Sequence, residues 1–141
     1  MVRNAFYILI VLFGFAIYGQ GQEKIDVTLL DWKCNPLEQT DEFVIVKKKE
    51  LKSFTACEKK EINLRKKSII GFSGSVSGCQ DPTFEVVVIK NDEEKNYQID
   101  IIVTQYGMCK KLIMYNKVAA VDKFKRGYSV EFETQVKRSE E

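Results

Sequence analysis

The chain contains no histidine. That absence removes the base of Ser-His-Asp and Cys-His arrangements and the imidazole ligands of the common zinc sites. No Cys-x-x-Cys spacing occurs among Cys34, Cys57, Cys79 and Cys109, which argues against a dithiol redox motif or a paired-thiolate metal site. A Ser-x-x-Lys dyad motif is missing as well. Gly71, Gly74 and Gly78 are irregularly spaced and no helical pattern follows them, so they do not form a phosphate cradle. Nor does one sign of charge dominate: 22 basic against 20 acidic residues give +2. Lys47-Lys48-Lys49, Lys59-Lys60 and Arg65-Lys66-Lys67 all have acids close by, and read as solvated surface, not as a nucleic-acid footprint.

Long hydrophobic runs are also scarce, with one exception at the N-terminus. Arg3 precedes the uncharged run Ala5 to Ala16, and Gly19 and Gly21 follow it. This is the layout of a secretory signal, and the run is shorter than the roughly 20 residues of a transmembrane span. The expected cut lies after Gly21, with Gly19 the neighbouring choice and a retained anchor the alternative. What remains, residues 22–141, is of a length for one domain with its own core. Export places the chain in the periplasm or outside the cell.

An even number of cysteines in a small exported chain reads as two disulfides. The pairing follows from strand register. Thr83 to Lys90 and Tyr97 to Tyr106 are rich in β-branched and aromatic residues and flank the polar turn Asn91 to Asn96. Folded antiparallel, Phe84 meets Val103, Val86 meets Ile101 and Val88 meets Ile99, so apolar faces apolar throughout. Continued past Gly78 and Pro82, the ladder brings Cys79 next to Cys109. Cys34 then pairs with Cys57 by elimination. Each bond should contribute roughly 3–4 kcal/mol by restricting the unfolded chain.

Elsewhere, Ile25 to Leu30, Glu42 to Val46 and Ser68 to Ser73 read as strands. Lys111 to Val121 reads as a strand broken near Asn116-Lys117, and Tyr128 to Val136 as the closing strand. Leu51, Phe54 and Cys57 recur at helical spacing, which predicts a short amphipathic helix over Lys47 to Lys59. Gly74 to Pro82 reads as a loop, and Lys137 to Glu141 as a frayed tail. The sum is an α+β fold: an antiparallel meander of about six strands with one short helix covering a face or an end.

Three further groups could carry chemistry. Asp92-Glu93-Glu94 lacks the alternating oxygen ligands and glycine of a calcium loop. Asp100 lies within a strand but on the side away from the apolar face. Trp32, Tyr106 and Tyr128 fit burial better than a sugar platform. No catalytic residue, metal ligand or cofactor is therefore expected, and the chain reads as a non-catalytic exported binding or accessory protein. The candidate surface is the pair of loops that Cys79–Cys109 joins, carrying Val76, Gln80, Tyr106 and Met108, and its expected partner is a protein.

The order of features resembles a group of small exported proteins of Bacteroidetes type. The resemblance is carried by Glu61-Ile62-Asn63-Leu64 before the Ser68 strand, Gly78-Cys79, the Tyr97 to Val103 strand, Gly107-x-Cys109, Lys123 and Tyr128-x-Val130-x-Phe132. It covers nearly all of the chain beyond the signal and implies no activity. The order is more distantly similar to the C-terminal domain of PrcB-type protease-complex stabilising subunits. This chain has Gly78-Cys79-Gln80 where that pattern has Gly-Gly-Tyr, and Val121-Asp122-Lys123 where it has a proline. The likeness implies, as an alternative, a protease inhibitor or a protease-complex stabilising subunit.

Overall fold

Alternating side chains along each long strand give the chain apolar stripes that must be covered. A second sheet covers them, where the sequence reading expected a helix. The computed structural model describes residues 21–31, 42–51 and 62–139. Eight strands run β1 (Gln22–Ile25), β2 (Val27–Leu30), β3 (Glu42–Ile45), β4 (Lys67–Ser77), β5 (Gln80–Asn91), β6 (Asn96–Tyr106), β7 (Leu112–Asp122) and β8 (Ser129–Ser139). They form two four-stranded sheets, β1-β5-β6-β8 and β2-β7-β4-β3. Among the described residues, the α+β assignment is thereby corrected to a nearly all-β sandwich, and about six strands to eight.

The predicted helix is the first casualty. Among the described residues it is a single turn, α1 (Lys48–Leu51), and residues 52–61 lie outside them. The turn is held by Glu50, whose carboxylate accepts the backbone N–H groups of Val46 (2.8 Å) and Lys47 (2.9 Å). Those two bonds, with Lys47 and Lys123 nearby, hold the Glu50 carboxyl below its usual pKa. The meander is corrected too. β8 pairs with β6 in parallel, Asn96 opposite Ser129 through Tyr106 opposite Ser139. A parallel pair requires a crossover, and here β7, in the other sheet, supplies it.

The expected first strand is split between the sheets. Ile25 pairs with Val88 in one, and Val27 pairs with Val121 in the other, with Asp26 at the crossing. Gly74 to Ser77, expected as loop, continues β4 against β7, Ser77 opposite Leu112. Gly74 is used here for close approach: a Cβ there would lie 2.5 Å from the Tyr115 hydroxyl. β7 runs unbroken through Asn116-Lys117, which pair with Ser73 and Phe72 of β4, and Lys117 places its ammonium over the Phe84 ring, 5.3 Å from the centroid. The tail expected to fray is paired as far as Ser139.

The core lies between the sheets. Ile70, Phe72, Val76, Ala119 and Val121 come from one, and Val88, Tyr97, Ile99, Ile101 and Val103 from the other, with Phe124 closing an end. Each fully buried aliphatic side chain contributes about 1.5–3 kcal/mol. Phe72, Phe84 and Tyr115 pack with their rings tilted 57–61° to one another and centroids 5.0–6.4 Å apart. A smaller cluster of Ile45, Ile69 and Val118 occupies the outer face of the second sheet, covered by Ile62 and Leu64. The β5–β6 register is the predicted one, Phe84 opposite Val103, Val86 opposite Ile101 and Val88 opposite Ile99.

Candidate functional site

Two connections cross between the sheets at the same end of the sandwich: Gly78-Cys79 from β4 to β5, and Gly107 to Lys111 from β6 to β7. They are joined side by side. The Cys79–Cys109 disulfide links them with Cα atoms 4.9 Å apart, as the strand register predicted. Cys34 and Cys57 lie outside the described residues, so one of the two expected disulfides is described. Backbone bonds reinforce the link. Cys79 N–H donates to the Tyr106 carbonyl (2.7 Å), Gly78 N–H to Lys111 (3.1 Å) and Gly107 N–H to Ser139 (3.2 Å). The Cys109 N–H points at the Cys79 sulfur, 3.2 Å away.

Glycine at 107 is dictated locally. Its φ is +77°, and a Cβ would stand 2.5 Å from Cys79 Sγ. β5 accommodates the end with an irregularity between Gln80 and Thr83, where the register slips by one residue. Pro82, which has no N–H to give the ladder, sits in that bulge.

The four nominated binding residues separate. Met108 is 81% exposed and Gln80 is exposed. Val76 is buried in the core at 4% exposure and cannot touch a partner. Tyr106 is half-buried, its hydroxyl sharing a 2.8 Å hydrogen bond with Thr83 Oγ1. Two residues not nominated from sequence belong with Met108. Leu112 and Met114 are 64% and 74% exposed on the outer face of β7, beside the clamp. Their alternation with Ile113 and Tyr115 carried the signal, but alternation does not say which member of each pair is buried.

Two polar clusters elsewhere were also not foreseen. Asp92, at the β5–β6 turn, accepts from the Tyr128 hydroxyl (2.5 Å), and pairs with Lys125 (3.1 Å) and Lys90 (2.9 Å). Lys90 also reaches Glu23 at 3.2 Å. The Tyr128 hydrogen bond and the two ammonium groups push the Asp92 carboxyl far below its usual pKa, and the Asp92 carboxylate raises those of Lys90 and Tyr128. The cluster ties β1, the hairpin turn and the segment before β8 together. Lys123, half-buried, donates its ammonium to the carbonyls of Val46 and Leu64, the latter at 2.7 Å. It anchors the end of β3 and the 62–66 turn to the β7–β8 connection. Both clusters consist of satisfied pairs joining neighbouring elements.

Glu93 and Glu94 lie in that turn with their N–H groups on Asn91 Oδ1 at 3.0 and 3.1 Å. Asp100 is half-buried on the outer face of its sheet, accepting from Gln98 Nε2 at 2.9 Å. Tyr128 is half-buried beside Tyr97, centroids 5.5 Å apart, and Trp32 lies outside the described residues. Among the described residues, no three His, Cys, Asp or Glu side chains gather as a metal site. No family model, curated protein or solved structure matches the chain, so what the clamped end does must be argued from its own chemistry.

Proposed function

We propose that the chain is a non-catalytic, exported binding protein that engages a protein partner through the clamped end of the sandwich. The observation that supports this is the exposure of Met108, Leu112 and Met114 beside a connection fixed by the Cys79–Cys109 bond. Large apolar side chains left in water on a rigid mount favour association, and unbranched methionines adapt to a partner's contour. Rigidity lowers the entropy lost on binding. The disulfide itself belongs to an oxidising compartment, which supports export.

The same end gives the second reading a concrete form. The segment from Met108 to Lys111 is exposed and tied on both flanks, by Gly107 to Ser139 and by Lys111 to Gly78. A tied exposed segment suits a protease inhibitor or a protease-complex stabilising subunit.

The test is capture from the producing cell's envelope and culture fluid with the oxidised protein, with the variant Met108→Ser/Leu112→Ser/Met114→Ser as control. A dominant partner retained by the wild type and lost by the variant supports the binding reading. A protease in that position, blocked at stoichiometric amounts, selects the second. Equal capture by both baits refutes the assignment to this end.

A further inference from the structure

β8 is the outermost strand of its sheet. It pairs with β6 on one side, and among the described residues no strand pairs with it on the other. Two bonds fix which backbone groups face inward: Ser129 N–H donates to the Lys95 carbonyl (3.0 Å), and the Ser139 carbonyl accepts from Gly107 N–H (3.2 Å). Backbone groups alternate sides along a strand. The odd-numbered residues of β8 therefore direct theirs at β6, while Val130, Phe132, Thr134, Val136 and Arg138 present theirs along the open edge.

Long open edges are ordinarily blunted by proline, a bulge or charged side chains. β8 has no proline, and its register with β6 runs unbroken from Ser129 to Ser139. Its charges are sorted along its length, Glu131 and Glu133 in the first half and Lys137 and Arg138 in the second. A strand charged in this way repels a parallel copy of itself and attracts an antiparallel one.

We infer that the β8 edge is a homodimer interface, pairing antiparallel with β8 of a second copy about a two-fold axis at Thr134. Thr134 is an edge-facing residue, so the axis falls on a hydrogen-bonded pair. The other edge-facing residues then meet one another, Phe132 with Val136 of the second copy and Val130 with Arg138, each pair exchanging both backbone bonds. Between them lie the closer, non-hydrogen-bonded pairs: Glu131 opposite Lys137, and Glu133 opposite Gln135.

Neighbouring registers are worse. An axis at Glu133 sets that carboxylate against itself, and one at Phe132 sets Glu131 against Glu133. An axis at Gln135 recovers Glu133 with Lys137, but puts Phe132 opposite Arg138 and leaves Glu131 facing Ser139. Only the axis at Thr134 overlaps the whole of β8, matches Glu131 with Lys137 and sets Phe132 against Val136. It also gives Val136 a neighbour. Val136 belongs to the inner-face row of Val103, yet it is 53% exposed. β3 faces β8 near Thr134, whose hydroxyl reaches Glu42 at 3.5 Å. Phe132 of the second copy would cover Val136. Because Ser139 adjoins Gly107, the two clamped ends would lie at opposite ends of the paired strands.

Sedimentation equilibrium of the oxidised protein at low salt, over roughly 1 to 200 µM, tests the inference. The wild type is expected to show a monomer–dimer equilibrium. Lys137→Glu sets like charges opposite each other in both symmetry-related pairs and should raise the dimer Kd about tenfold or more. The charge swap Glu131→Lys/Lys137→Glu should restore the dimer. Thr134→Pro removes an edge-facing N–H and no bond to β6, so it should give a folded monomer with a near-native melting temperature. A wild type monomeric throughout, a dimer indifferent to Lys137→Glu, or a swap that fails to rescue would each overturn it. Should Thr134→Pro fail to fold, the charge pair and its swap still decide.

Discussion

Gly71 offers a sharp test of the packing on the outer face of the second sheet. It sits in β4 opposite Phe43 of β3, and a Cβ built on it overlaps the edge of the Phe43 ring, 2.6 Å from Cε2 and nearer to Cζ and Cε1. Ordinary contact begins at about 3.4 Å, so Gly71→Ala must drive the ring outward by about 1 Å or more. Overpacking of this kind costs about 1–3 kcal/mol. Against that, alanine in an extended strand with ordinary φ gains about 0.5–1 kcal/mol by restricting the unfolded chain. The expected net loss is about 1–2 kcal/mol. Phe43→Ala removes the half-buried ring at its own cost of about 1–2 kcal/mol. In that background nothing resists the new methyl, and Gly71→Ala should become stabilising by about 0.5–1 kcal/mol. Urea denaturation of the four proteins of the cycle, read by linear extrapolation, measures this reversal as a coupling of about 2 kcal/mol. If Gly71→Ala costs the same with and without the Phe43 ring, the close-approach explanation is refuted.

Two further perturbations probe the ends of the sandwich. Replacing Cys79 and Cys109 by alanine opens a loop with a sequence separation of 30, and chain entropy gives a loss of about 3–4 kcal/mol. Urea unfolding would show this as a lower midpoint with an equal or steeper slope, because the uncrosslinked unfolded chain exposes more surface, and an unchanged midpoint would contradict it. The Asp92 carboxyl has a folded pKa far below its unfolded value of about 3.9, because Tyr128, Lys90 and Lys125 hold its charged form. Its contribution is present above that unfolded value and is lost as the pH falls through the folded one. Asp92→Asn should therefore flatten the acid limb of a low-salt stability–pH profile below about pH 4. Wild-type and variant profiles that stay parallel down to about pH 2 would exclude the cluster as a source of acid sensitivity.

Local matters were legible in the residues alone. β-branched alternation on either side of Asn91 to Asn96 set the β5–β6 register residue by residue, because a one-residue slip would turn every apolar side chain outward. That register placed Cys79 beside Cys109, and the missing histidine excluded Ser-His-Asp and Cys-His arrangements and imidazole zinc ligands. Packing between the sheets settles what alternation leaves open. A strand with one apolar face does not say whether a helix or a second sheet covers it, so alternation alone reads as a meander under a helix. Ile25 to Leu30 carries no mark of the crossing at Asp26, and Tyr128-x-Val130-x-Phe132 alternates alike beside a parallel or an antiparallel neighbour. Gly74 and Ser75 read as punctuation until β7 lies alongside and Tyr115 takes the space a side chain would fill. The candidate surface divided in the same way. Cys79–Cys109 was legible because register is local, whereas the burial of Val76 and the exposure of Leu112 and Met114 depend on which face of β4 and β7 the opposite sheet covers. Side-chain period is a property of one strand; the face that becomes core is settled only when the other sheet packs against it.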